Sequence, residues 1–128
     1  MSGVSLAIKA LLSRAAVKAI TGTRVYPFPL PPKTRLPAIA VAMAGEDDEY
    51  MLDGAGQYPE TSLQFHCVAA TAKAAIELGE VVKQEMRDLH YTAAGADALF
   101  TKEALDYTDF ATDLSTHRRI MGFSNRWR

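Results

Sequence analysis

"RVYPFPLPPKTRLPAIAVAMAG" runs from Arg24 to Gly45 and sets the reading of everything around it. Five of the chain's six prolines fall within eleven residues, Pro27 to Pro37. Pro27, Pro29, Pro31 and Pro32 remove backbone donors and fix φ at each position. Such a segment is neither a helix nor a central strand; it reads as an extended connection over the surface. On its N-terminal side, Arg24-Val25-Tyr26 is a short strand candidate. On its C-terminal side, Ile39, Val41 and Met43 alternate with Ala40, Ala42 and Ala44. That is strand periodicity with one bulky face and one small face. An all-alanine face suits close approach by a helix or a neighbouring subunit.

Upstream, Val4 to Ile20 reads as one amphipathic helix with Val4, Ile8, Leu11, Leu12, Ala15 and Ala19 recurring at helical spacing. Ser2 or Ser5 caps its start and Gly22 its end. Downstream, Gly45 to Glu60 is a long polar loop, "GEDDEYMLDGAGQYPE", with six acids and no Lys or Arg. Loops of this length in compact domains are mostly functional or mobile. "TSLQFHCVA" restores a strand, with Leu63, Phe65 and Cys67 opposite Gln64, His66 and Val68. Thr71 to Leu89 is a second helix, capped by Thr71, with an inner stripe of Ala72, Ala75, Ile76, Gly79, Val82, Met86 and Leu89. Gly79 in mid-helix costs up to about 1 kcal/mol relative to alanine, and close packing on the sheet would offset that. "YTAAGADA" reads as a turn region, Leu99 to Ala111 as an ambiguous strand, and "THRRIMGFSNRW" as the last strand. The expected fold is α+β: one domain over residues 1–128, two helices packed on one face of a mostly antiparallel sheet of four to five strands.

The 128 residues suffice for one core without disulfide staples. Composition is ordinary for a globular chain, with 48% hydrophobic and 23% charged residues. A formal net charge of −1 gives no global attraction to nucleic acid. One cysteine excludes an intrachain disulfide and fits a reducing compartment. Lys9, Arg14 and Lys18 make the N-terminus too polar for a membrane span, and it lacks a secretory core. The expectation is a soluble, cytoplasmically made product.

Catalytic readings are weak. His66 and Cys67 are neighbours in a strand, so they point to opposite faces and cannot form a thiolate–imidazole pair. Cys67 reads as a small core residue. His66, His90 and His117 lack metal-ligand spacing. Aligning Gly54 with an EF-hand turn glycine puts Asp53 and Glu60 in register but places Met51 at a ligand position. "GAG" at 54–56 lacks the third glycine of a dinucleotide loop. No enzyme activity, cofactor or metal is expected. The C-terminal strand carries Arg118, Arg119, Arg126 and Arg128 with no acid. Set against Glu46, Asp47, Asp48, Glu49 and Asp53, it fits a head-to-tail contact between identical subunits, of the kind that closes into rings. Intramolecular pairing or plain solvation of the same charges weighs equally.

Four stretches together, "TGTRVYPFPLPPKTRLPAIAVAMAG", "TSLQFHCVAAT", "AKAAIELGEVVKQEM" and "STHRRIMGFSNRW", resemble the tail-completion or tail-terminator proteins of long-tailed phages and phage-derived gene transfer agents. The resemblance spans nearly the whole chain. It implies a homohexameric ring at the head-proximal end of the tail tube. That ring ends tube polymerisation and meets the head–tail connector, and DNA passes through its lumen without specific binding. It places the protein in the virion neck after assembly in the host cytoplasm. It also implies that the 45–60 loop reorganises on assembly. The family has no catalytic residues to carry over. Two readings compete: another neck or head-completion subunit, and a small-molecule-binding α+β domain.

Overall fold

A computed structural model describes residues 2–47, 50–51, 54–55, 59–93 and 95–128. Three helices cover one face of a six-stranded sheet. The elements in chain order are α1 (Gly3–Ser13), α2 (Ala15–Thr21), β1 (Val25–Pro27), β2 (Ala38–Asp47), β3 (Tyr50–Met51), β4 (Gly54–Ala55), β5 (Glu60–Ala69), α3 (Ala72–Met86), β6 (His90–Ala93), β7 (Ala96–Phe110) and β8 (His117–Trp127). The sheet order is β1-β2-β5-β8-β7-β6. Every pair in it is antiparallel except β1 and β2, which run parallel.

That parallel pair explains the prolines. A parallel neighbour requires the chain to return to its starting end, and residues 28–37 make the return without a helix. Phe28 N–H donates to Val41 O, and Ile39 N–H donates to Arg24 O, closing both ends of the crossover. The Phe28–Pro29 and Leu36–Pro37 peptide bonds are cis. The alanine face of β2 meets the chain's own crossover at Ala40, beside Phe28 and Leu30, while Ala42 is half-buried and Ala44 exposed. Ala38 and Ala40 are buried, while Ile39 and Val41 point into the helix-side core.

The expected first helix is two. Ser2 and Ser5 form a reciprocal cap, as anticipated at one of the two serines. The helix then breaks at Arg14, whose backbone is extended. Ser13 Oγ donates to Ala10 O at 2.6 Å, a local bond that competes with continuation of the helix. The break re-aims the second segment. Leu6, Ala7, Ala10 and Leu11 are buried in α1, and Val17 and Thr21 in α2, whereas Ala15 and Ala19 face solvent. Gly22 ends α2 at φ 60°, a conformation glycine adopts at no steric cost.

In α3, Thr71 caps as expected, accepting from Ala74 N–H at 3.1 Å. The buried stripe is Ala75, Leu78, Gly79, Val82 and Met86; Ile76 lies exposed. The strand faces of β5 hold as read: Leu63, Phe65 and Cys67 are in the core, and Phe65 stacks on Phe123 of β8 at 4.8 Å. "YTAAGADA" is a hairpin and not a bare turn, pairing β6 with the start of β7. The acidic stretch is also shorter as a loop than expected. β2 continues through Glu46 and Asp47 opposite Thr61 and Glu60, and β3 pairs with β4 in a small separate ribbon. No helix of the described residues is long and apolar enough to cross a membrane.

Candidate functional site

Two arginines that neighbour each other on β8 sit on opposite faces of the sheet and do different work. Arg119 points to the helix side. Its Nε and Nη2 bind both oxygens of Asp106 at 2.9 Å, and its Nη1 reaches Glu80 at 2.8 Å and the Ile76 carbonyl at 3.2 Å. It thereby ties α3 to β7 across β8. Its side chain is only 9% exposed. A Cβ on Gly79 would run into Arg119 Cδ and lie 3.1 Å from its Nε, so the mid-helix glycine makes room for this guanidinium. Hydrogen bonding to Arg119 holds both the Asp106 and Glu80 carboxyls below their ordinary range.

Arg118 points to the open face. It pairs with Asp109 through Nε at 2.8 Å and Nη2 at 2.5 Å, and its Nη1 approaches His66 Nδ1 at 3.4 Å. Burial first, then the Arg118 charge, pushes the His66 pKa down. His66 is therefore a neutral ring at pH 7, and Phe28 lies against it at 4.8 Å between centroids. Hydrogen bonding to Arg118 likewise holds Asp109 below the ordinary carboxylate range.

Above this network the crossover and the β7–β8 hairpin leave an open cavity of about 270 Å³. Its apolar walls are Phe28, Leu30, Ala40, Val68 and Phe110, and its polar floor is His66 and Arg118. Phe28 and Phe110 are 49% and 61% exposed at its rim. No motif or spacing in the sequence marks this site. The one available signal was the alanine face of β2, which needed an apolar cover.

The third arginine, Arg126, pairs with Glu60 at 3.0 Å with both side chains half exposed. Beside it, Trp127 Nε1 donates to Thr61 Oγ1 at 2.9 Å, and Thr61 Oγ1 donates to Glu46 Oε1 at 2.8 Å. These bonds root the acidic hairpin extension in the sheet. Asp47 continues β2; Asp48, Glu49 and Asp53 lie outside the described residues. The intramolecular alternative for the arginines is thus what the described residues display: Arg118, Arg119 and Arg126 each have a carboxylate within their own chain. Arg119 is enclosed by contacts of its own chain, with its side chain 9% exposed.

Cys67 and His66 point to opposite faces, as their adjacency requires. Burial pushes the Cys67 thiol up to about 12, so it is protonated and inert at neutral pH. His90 lies 3.7 Å from Asp97, and His117 packs near Phe110. Among the described residues, no three His, Cys, Asp or Glu side chains converge as metal ligands.

Comparison with known proteins gives this geometry a family. No curated protein sequence matches the chain. Among solved structures, a chain of the virion of a native gene transfer agent particle superposes with a TM-score of 0.72. The match is 18% identical and covers 97% of this chain and 92% of that one; at this identity it speaks for the fold. The family model of tail completion protein gp17 matches residues 7–126. That span reaches from the middle of α1 to the last residues of β8, and on it the chain belongs to the tail completion protein gp17 family.

Proposed function

We propose that the protein is a structural subunit of a phage-like tail, acting in the virion and not as an enzyme. Copies assemble into a ring, a hexamer on the resemblance described above, at the head-proximal end of the tail tube. The ring ends tube polymerisation and joins the tube to the head–tail connector, with DNA passing through its lumen. Assembly takes place in the host cytoplasm. The observation that carries this reading is the family match across residues 7–126. The chemistry agrees with it: the one thiol is buried and protonated, and Arg118 on the open face is paired with Asp109. The acidic run of Glu46, Asp47, Asp48, Glu49 and Asp53 is proposed as an assembly surface together with Arg118, Arg119 and Arg126, of which Arg126 pairs with Glu60 at the foot of the run.

Light scattering across a concentration series, combined with negative-stain imaging of the protein mixed with tail tubes, tests the proposal. Closed rings, free or seated on tube ends, support it. A monomer that leaves tube ends bare overturns it. The open-face cavity favours one other reading, a small-molecule-binding domain. At about 270 Å³ the cavity is near the lower bound of ligand pockets, and a ligand screen by thermal shift separates the two.

A further inference from the structure

The β7–β8 hairpin turns through residues 111–116 with a hydrogen-bonded tip. Ala111 N–H donates to Thr116 O, Leu114 N–H donates to Ala111 O, and Ser115 N–H donates to Asp113 Oδ1 at 3.0 Å. At the tip stands Leu114, with φ 60° and 61% exposed. Left-handed backbone is disfavoured for a bulky side chain, and an isolated leucine gains nothing from solvent. Both features are unfavourable in a lone subunit. The same chain carries an unfilled apolar cavity beside that hairpin, walled by Phe28, Leu30, Ala40, Val68 and Phe110. Leu114 is not in its own cavity.

We propose that Leu114 of one copy inserts into the open-face cavity of the next copy. The charges match. Asp113 sits beside Leu114, and its hydrogen bonds to Ser115 hold it ionised to low pH. The cavity's upper wall is the proline crossover, part of a run from Arg24 to Gly45 that holds Arg24, Lys33 and Arg35 and no acid. Lys33 and Arg35 are exposed on it. Ala111 and Thr116 of the same turn line the socket, and a contact that seats each copy's Leu114 in the next copy's socket, without the reciprocal insertion, is heterologous. Such contacts propagate from copy to copy and close into a ring when the rotation allows. The proline stiffness of the crossover has a role here: prolines keep the socket wall formed before a partner arrives, so less freedom is lost on contact. The inference deepens the ring reading and rests on it for the identity of the partner.

The test is a two-dimensional NMR titration with Leu114→Asn protein labelled with nitrogen-15. Asparagine tolerates the left-handed backbone, so the variant keeps its fold and an intact socket while losing the projection. Its melting temperature is expected to match or exceed that of the wild type; Leu114→Gly serves the same purpose if it does not. Unlabelled wild-type protein is added up to millimolar concentration. The expected result is dose-dependent shifts at the Ala40, His66, Val68 and Phe110 amides, absent when unlabelled Leu114→Asn is added instead. No shifts from wild type, or equal shifts from both, would overturn the proposal. The ring reading is scored separately by native mass. Wild-type and Leu114→Asn proteins forming equal rings would remove the Leu114 contact and leave the ring. Wild-type protein that shifts the socket signals without ever closing a ring would do the reverse.

Discussion

Gly79 and Arg119 share one space, and the consequences are measurable at single positions. Gly79→Ala gains up to about 1 kcal/mol of helix propensity but forces a methyl into Arg119, whose guanidinium is held on three sides. Overpacking of this kind costs about 1–3 kcal/mol. Set against the propensity gain, this leaves an expected net loss of stability of up to about 2 kcal/mol in urea melts. Arg119→Leu removes the partner of two carboxylates and should lose about 2–3 kcal/mol. The acid profile follows from the same contacts. Asp106 and Asp109 have folded pKa values below their ordinary 3.8, so their contribution is present above that value and lost as pH falls through the lower folded values. His66 is also lowered, from 6.5. Its contribution is present above 6.5 and declines as pH falls from there toward its folded value. Urea melts from pH 8 to pH 3 should show a shallow decline below about 6.5 and a steeper one below about 4. His66→Gln should remove the upper step alone.

The elements show what a sequence pattern can and cannot reveal. Period-two alternation placed Leu63, Phe65 and Cys67 on the core face because β5 has a partner on each side and one face fully covered. The prolines of residues 27–37 announced a crossover for the same local reason: no other element tolerates them. Tertiary contacts hid the rest. The helix break at Arg14 depends on a serine bond and on packing against α3, where Arg14 Nε lies 3.6 Å from Glu85. The β6–β7 hairpin carries no proline and no strict alternation. β7 was ambiguous because its register slips between Lys102 and Asp106. The residues looped out there cross the open face, with Leu105 Cβ 3.1 Å from where a Cβ on Gly122 would stand. Gly122→Val should therefore displace Leu105 and lose about 1–3 kcal/mol. The charge pattern was legible as blocks, but pairing was not. Arg118, Arg119 and Arg126 find acids that are 9, 13 and 66 residues away in the chain. Those distances are fixed by sheet register, which composition does not encode.

For the whole molecule, the helices bury one sheet face and the crossover half-buries the other. What stays open among the described residues is a socket with aromatic rims and a projecting leucine, both outside the core. This division fits a subunit whose stability comes from the helix side and whose contacts lie on the opposite side. Substitutions on the helix side should change melting behaviour first, whereas Leu114→Asn should leave melting intact and act on assembly. The most direct measurement of the central claim is electron imaging of purified tail tubes incubated with the protein. The account predicts a closed ring seated at one end of each tube and a halt to further tube growth. Tubes with bare ends that keep growing, or protein scattered along their sides, would contradict it.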